Sequence, residues 1–226
     1  MQEVKHMVKH PLFVIIACAI SIGAGIYLNS SYIEIFASVV GVVNVWLLAR
    51  QKVINFLFGA IAVVSFMYIY FDNGLYAMVV LAALQLIFNL YGWYYWVKNK
   101  GEEDVAPTIR LSIQGYVIWT SIILISWGLW SYIQVKFTDA SNPYLDALIA
   151  VIGLVAQYLL SKKILENWHL WILMNAISIV VYFSTGLYVM ILLAVINLFL
   201  CIDGLLEWRQ NYEVNRHRKG ATGTGF

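Results

Sequence analysis

Apolar residues dominate eight stretches of the chain, roughly 11–28, 32–50, 54–71, 75–97, 111–135, 144–161, 166–184 and 187–208, with polar residues gathered in the breaks. A helix needs about 20 apolar residues to cross the hydrocarbon core of a bilayer, so each stretch is predicted to be a transmembrane helix. Most breaks are a few residues long, which forces neighbouring helices to run antiparallel. Two are longer: 98–110, which is charged, and 136–143, which contains Asn142-Pro143. Lys5 and Lys9 ahead of the first stretch could open a signal peptide. The run Pro11 to Leu28 is long for a signal core, however, and Asn29-Ser30-Ser31 and further spans follow it, so it reads as a span.

Composition supports lipid as the solvent. Hydrophobic residues make up 62% and charged residues 12%, with a mean hydropathy of +0.78, whereas soluble domains carry about 25% charged residues. The net charge of +2 suggests no nucleic-acid partner. Cys18 and Cys201 lie singly in apolar runs and read as packing residues, and the histidines show no metal-ligand spacing.

The distribution of charge is more informative than its sum. Lys5, Lys9, Arg50, Lys52, Lys98, Lys100, Arg110, Lys162, Lys163, Arg209, Arg216, Arg218 and Lys219 all fall on one side of the predicted membrane; the other side carries only Lys136. Positive charge marks the cytoplasmic side, so the expectation is a multi-pass protein of the cell inner membrane with both termini cytoplasmic.

Shifting the chain by 112 residues aligns Tyr32–Trp96 with Tyr144–Trp208 without a gap. Gly41 falls on Gly153, Asn55 on Asn167, Tyr70-Phe71 on Tyr182-Phe183, Gly74-Leu75-Tyr76 on Gly186-Leu187-Tyr188, Gly92 on Gly204 and Trp96 on Trp208. Each repeat holds three spans, and the span at 111–135 restores the orientation of the second copy. The predicted fold is therefore an all-α integral membrane protein of two parallel three-helix bundles joined by a linker helix (3+1+3), plus one N-terminal helix. Its parts are 1–31, the N-terminal helix; 32–97, the first repeat; 98–143, the linker helix and loops; 144–208, the second repeat; and 209–226, a cytoplasmic tail. Parallel repeats are a transporter plan with the substrate site near the midplane between them.

Polar residues inside lipid are costly and face the bundle interior. In the seventh span Trp168, Trp171, Asn175, Ser178 and Tyr182 lie within roughly 80° of one another at about 100° per residue. In the fourth span Gln85, Asn89, Gly92 and Trp96 lie within roughly 60°. Asn197 is the repeat mate of Gln85, and Asn44 and Gln157 add amides from the second and sixth spans. Amides both donate and accept hydrogen bonds, and indole faces stack on flat rings or hold cations. The predicted substrate-binding set is thus Trp168, Trp171, Asn175, Gln85, Asn89, Asn197, Asn44, Gln157 and Tyr182, suited to a neutral or cationic ligand, with no catalytic residue, metal or cofactor.

Each feature has a blander reading. Intramembrane amides also tie helices together. Trp96 and Trp208 read as interfacial anchors, Asn55 and Asn167 as helix N-caps, and Gly41, Gly92, Gly153 and Gly204 as close-packing positions. Asp203 and Glu207 read as partners of Lys162, Lys163 or Arg209, and Glu34 and Asp146 as caps or attractors of cations. His169 lies off the stripe and reads as a core or interface residue. A membrane enzyme or receptor is the rival class, and the carboxylates near span ends argue against it.

The 3+1+3 plan, the Trp171-x-x-x-Asn175 stripe, Gln85-x-x-x-Asn89-x-x-Gly92-x-x-x-Trp96 and the segment Glu166-Asn167-Trp168-His169-Leu170-Trp171 resemble the PnuC family of vitamin transporters over 32–208. The best-known members of that family import nicotinamide riboside, and relatives import thiamine or riboflavin. The resemblance implies a homotrimer importing nicotinamide riboside by facilitated diffusion with alternating access, without ATP or a coupled ion. Uptake would be driven by phosphorylation of the substrate by a cytoplasmic kinase. Thiamine or another vitamin is the alternative cargo. The helix at 11–28 departs from the family's seven-span core.

Overall fold

In a computed structural model, residues 11–72, 76–100, 106–138, 142–184 and 188–221 are described. They form eight helices: α1 (Pro11–Tyr27), α2 (Tyr32–Ala49), α3 (Asn55–Asp72), α4 (Tyr76–Lys98), α5 (Ile113–Phe137), α6 (Pro143–Ser161), α7 (Asn167–Ser184) and α8 (Tyr188–Ala221). Six are long and apolar enough to cross a membrane; Pro11–Tyr27 and the apolar part of α7, Asn167–Phe183, are shorter. Lipid offers no hydrogen bonds to a bare backbone, so helices are the natural answer to runs this apolar. The large exposed side chains are apolar along the outer faces, as at Ile125, Leu129 and Val180.

The helix packing closes a ring. α2 packs on α3, α3 on α4, α4 on α6, α6 on α7, α7 on α8, and α8 returns to α2. α1 lies against α2 and touches α8, and α5 lies against α6. A shift of one repeat carries α2, α3 and α4 onto α6, α7 and α8, and it also carries the α1–α2 contact onto the α5–α6 contact. The N-terminal helix thus sits on the first half as the linker helix sits on the second.

The two basic turns are built alike. Gln51 and Lys163 are both in the left-handed region, at φ 57° and 60°. Gln51 N–H donates to Leu48 O and Lys52 N–H to Leu47 O; 112 residues on, Lys163 N–H donates to Leu160 O and Ile164 N–H to Leu159 O. This paired pattern satisfies the last carbonyls of α2 and α6. The segment before α5 docks on the second turn, where Ile109 N–H donates to Lys163 O and Leu165 N–H to Ile109 O. Glu166, buried, fixes the same corner: its carboxylate accepts from Arg110 Nε, the Leu111 amide and the Tyr116 hydroxyl at 3.0–3.1 Å. Sequence reasoning had Glu166 only as part of a motif.

The structure departs from the sequence reading at some positions and agrees with it at others. Trp96 and Trp208 are fully buried rather than interfacial. Their indole N–H groups find the end carbonyls of the opposite half, Trp96 donating to Leu160 O at 3.3 Å and Trp208 to Leu48 O at 3.2 Å, so burial leaves no donor unsatisfied. Asn55 and Asn167 begin their helices, but their amide Nδ2 groups donate backwards, to Lys52 O and Ile164 O at 2.6 Å, instead of accepting from the first turn. Asp203 faces Arg50 at 3.9 Å, while Arg209 pairs with Glu213. Gly92 and Gly204 are close-packing positions, against Phe56 and Trp168, but a Cβ on Gly41 would meet nothing. Glu34 closes a capping box with Ser31, and His169 is exposed. α8 continues to Ala221, past the predicted end at 208, with Arg209–Glu213 bridging one turn of the extension and Gly220 the first breaker.

Candidate functional site

The helix ring encloses a cavity of about 370 Å³. Seven of the eight helices contribute to it, and α5 does not. Asn44 on α2, Gln85 and Asn89 on α4, Gln157 on α6, Trp168, Trp171 and Asn175 on α7, and Asn197 on α8 all line this one space. These are eight of the nine residues that the sequence singled out. Tyr182 is not on the wall: it stands about 10 Å further along α7 than Asn175 at 1.5 Å per residue, beyond the cavity. A shared helix face placed it on the stripe, but face alone does not fix height.

The wall also holds residues that sequence reasoning left out, among them Ser21, Ser38, Gly59, Phe66 and Met174. Asn55, read as a cap, lines it too. Gly59 is the informative omission. A Cβ there would collide with Asn89 Nδ2 and come within 3.2 Å of Asn44 Oδ1, so the missing side chain is what lets the two amides approach from neighbouring helices. Glycine in an apolar helix reads as packing against another helix, and nothing in the sequence marks it as room for polar groups.

The lining contains no Asp, Glu, Lys, Arg or His. Its polar chemistry is carried by amides, hydroxyls and two indoles. Asn175 is partly committed, its Nδ2 donating to Trp171 O at 2.8 Å and lying 3.8 Å from Cys201 Sγ. Among the described residues, Asn44 Oδ1, Asn89 Oδ1, Trp168 Nε1 and Trp171 Nε1 are buried with no hydrogen-bond partner. Buried polar atoms are normally paired, so two acceptors and two donors on the residues of one cavity wall are chemistry suited to a bound polar molecule.

On the side of the basic turns the cavity has an aromatic floor. Trp168 is fully buried and packs edge to face on Trp208, with ring centroids 5.4 Å apart at 88°. Phe56 meets Trp96 in the same way, at 4.9 Å and 89°, and Trp96 lies 5.5 Å from Trp208. Leu48, Leu160 and Leu165 complete this core. Below it sits Lys163, fully buried, its Nζ 3.6 Å from the Trp96 ring centre and 4.4 Å from that of Trp208. Burial pushes the Lys163 ammonium well below the ordinary lysine range, and the two indole faces oppose that push by favouring the charged form.

Apolar helices closed around a charge-free cavity lined in part by amides and indoles define a multi-pass integral membrane protein. The sequence pattern of the family described as "Nicotinamide mononucleotide transporter" matches residues 31–210, and the chain belongs to that family, one of transporters rather than enzymes. Among curated proteins it is similar to the nicotinamide riboside transporter PnuC of Escherichia coli K12, 29% identical over 214 residues, covering 84% of this chain and 89% of that protein. It is also similar to the nicotinamide riboside transporter PnuC of Neisseria mucosa, 27% identical and covering 83% and 74%. Its fold matches a crystal structure of the vitamin B3 transporter PnuC with a TM-score of 0.74 and 20% identity, over 90% of this chain and 91% of that one.

Proposed function

We propose that the protein imports nicotinamide riboside through the central cavity by facilitated diffusion with alternating access. The observation that carries the reading is the cavity wall: seven amides and two indoles with no ionised side chain. A ribose offers hydroxyl donors to Asn44 Oδ1 and Asn89 Oδ1. A carboxamide offers an acceptor to an indole N–H, and a pyridinium ring suits the face of Trp171. The volume lies near the lower end of the roughly 300–1,000 Å³ typical of small-molecule sites. A phosphate would find no lysine or arginine on this wall, which favours the nucleoside over the mononucleotide. The names of the relatives favour the same cargo. Thiamine, also a flat cation, is the second reading, supported by the indoles but making less use of the unpaired amide oxygens.

The surrounding picture belongs to the same proposal. All eight helices span the inner membrane, with the basic turns and both termini on the cytoplasmic side. The helices divide into two parallel three-helix bundles, α2–α4 and α6–α8, with α5 as the linker, and the helix ring supports that division. The working unit is a homotrimer. Net uptake is driven by a cytoplasmic kinase that phosphorylates the cargo, and a negative membrane potential adds about 2.3 kcal/mol per charge per 100 mV.

The test is uptake of labelled nicotinamide riboside and labelled thiamine into proteoliposomes without any ion gradient. Saturable equilibration of the riboside is expected. Equilibration of thiamine alone would replace the cargo, and binding without flux would overturn transport altogether. Concentrative uptake on an imposed sodium or pH gradient at clamped voltage would overturn the uniport mechanism.

A further inference from the structure

Lys163 is a long cationic side chain turned into the protein rather than towards water. Its ammonium lies 3.6 Å and 4.4 Å from the centres of two indole rings, and among the described residues Nζ has no hydrogen-bond partner. A buried lysine most often meets a carboxylate or carbonyls; this one meets two aromatic faces. Such a pair of faces is the recognition element for quaternary and other organic cations. The counterpart position in the first half is Gln51, with the same backbone conformation and no charge. The turn therefore does not require a cation to fold, and the ammonium needs another reason to be there.

The cage also abuts the cavity wall. Trp208, one wall of the cage, packs edge to face on Trp168, and Trp168 lines the cavity. We infer that the Trp96–Trp208 cage is a second binding site for organic cations, next to the cavity on the side of the basic turns, and that Lys163 is a tethered plug occupying it in this conformation. When Lys163 leaves, the cage opens to a free cation; when it returns, it displaces that cation. On the reading that the cargo is a flat cation, the cage is the next aromatic surface the cargo meets. The inference itself requires no transport.

Binding of radiolabelled tetramethylammonium to purified protein tests it by equilibrium dialysis. Lys163→Gln, which gives the second turn the residue of the first, is expected to gain a saturable site at least tenfold tighter than any in the unaltered protein. The gain should vanish in Lys163→Gln with Trp96→Leu and persist in Lys163→Gln with Trp171→Ala. Equal binding by the unaltered protein and Lys163→Gln overturns the inference, as does a gain that follows Trp171. A second measurement uses the unaltered chain, so that a folding defect in the variant decides nothing. Acetylation of Lys163 by an N-hydroxysuccinimide ester, read by mass spectrometry against Lys162, should accelerate several-fold when tetramethylammonium chloride replaces sodium chloride. Insensitivity of Lys163 to that exchange overturns the plug. Neither readout depends on uptake, so failure here and failure of the carrier reading are separate results.

Discussion

At the floor of the cavity, the two halves of the molecule repeat each other's contacts. Phe56 meets Trp96 as Trp168 meets Trp208, and each pair is crossed at nearly a right angle. Gly92 makes room for Phe56 as Gly204 does for Trp168. On the wall the same shift of 112 residues pairs unlike chemistry: Gly59 with Trp171, Val63 with Asn175, Asn89 with Cys201, Val45 with Gln157. Packing geometry can be symmetric because two bundles meeting on an axis present the same problem twice. The wall is under no such constraint: Trp171 presents an indole where the other half has Gly59, whose missing side chain admits the amides of Asn44 and Asn89.

The comparison breaks most readily at Gly204. A Cβ there would meet three ring atoms of Trp168, a fully buried indole. Overpacking of this kind costs about 1–3 kcal/mol. Gly204→Ala should lower the thermal midpoint in detergent more than Gly92→Ala, whose contacts are the smaller Phe56 ring, at 2.6 Å, and Ser161 Cβ. Because Trp168 lines the cavity, Gly204→Ala should weaken riboside binding as well. Equal thermal shifts would show that the two halves are packed with equal slack.

The next test removes the crossed indole donors. Trp96→Phe and Trp208→Phe each remove the indole N–H from a helix-end carbonyl, Leu160 O or Leu48 O, which keeps its backbone donor, Lys163 N–H or Gln51 N–H. Losing one such hydrogen bond costs roughly 0.5–1.5 kcal/mol. Chemical-denaturation midpoints should fall in both variants, and further in Trp96→Phe, since Trp96 is the indole nearer to Lys163. A larger fall in Trp208→Phe would mean that the cation contact adds nothing to stability.

On the wall, Trp171→Ala should weaken riboside binding by 2- to 30-fold, as expected for losing a cation–π contact worth about 0.5–2 kcal/mol. Its counterpart change, Gly59→Ala, pushes on Asn89 Nδ2, the mobile end of an amide, and should cost less. Calorimetric titration of both variants checks the order. Unchanged affinity in Trp171→Ala would reduce the indole to packing.

The legibility of the molecule in its sequence follows the same division. Eight helices could be read because lipid imposes length and apolarity on each span, and the repeat could be read because glycines, asparagines and tryptophans aligned in constant register. The amides of the wall could be read because a polar group inside lipid must face inward. What could not be read depends on partners distant in sequence. Trp96 and Trp208 look like interfacial tryptophans until the carbonyls of Leu160 and Leu48 are brought to them. Asp203 meets Arg50, 153 residues earlier, because α8 closes the ring against α2. Lys163 looks like a solvated loop cation, and only the fold shows the indoles around it.

The smallest expected effects lie in the two contacts that flank the floor. Arg50 and Lys162 occupy matching C-cap positions. Arg50 reaches Asp203 and lies over Trp46, whereas Lys162 lies over Tyr91 and Tyr95, 4.8 and 4.9 Å from their ring centres. Tyr91 is the counterpart of Asp203, so one seam between the halves is held by an ion pair and the other by a cation on aromatic rings. Asp203 is 5% exposed and Arg50 16%, so screening there is incomplete and Arg50→Gln should cost about 1 kcal/mol of stability. Lys162 is more open to water, and its ammonium hydrogen-bonds the Tyr91 hydroxyl, so Lys162→Gln should cost less than about 0.5 kcal/mol. The steepness of the salt dependence separates them further. Raising ionic strength should erase the Lys162 effect first, because exposed charges are screened within about 8 Å at physiological salt. Denaturation of both variants at low and high salt measures the difference. An Arg50→Gln cost that disappears in salt as readily as that of Lys162→Gln would mean that the ion pair is a surface contact, and that the two seams, for all their different atoms, hold the halves together equally weakly.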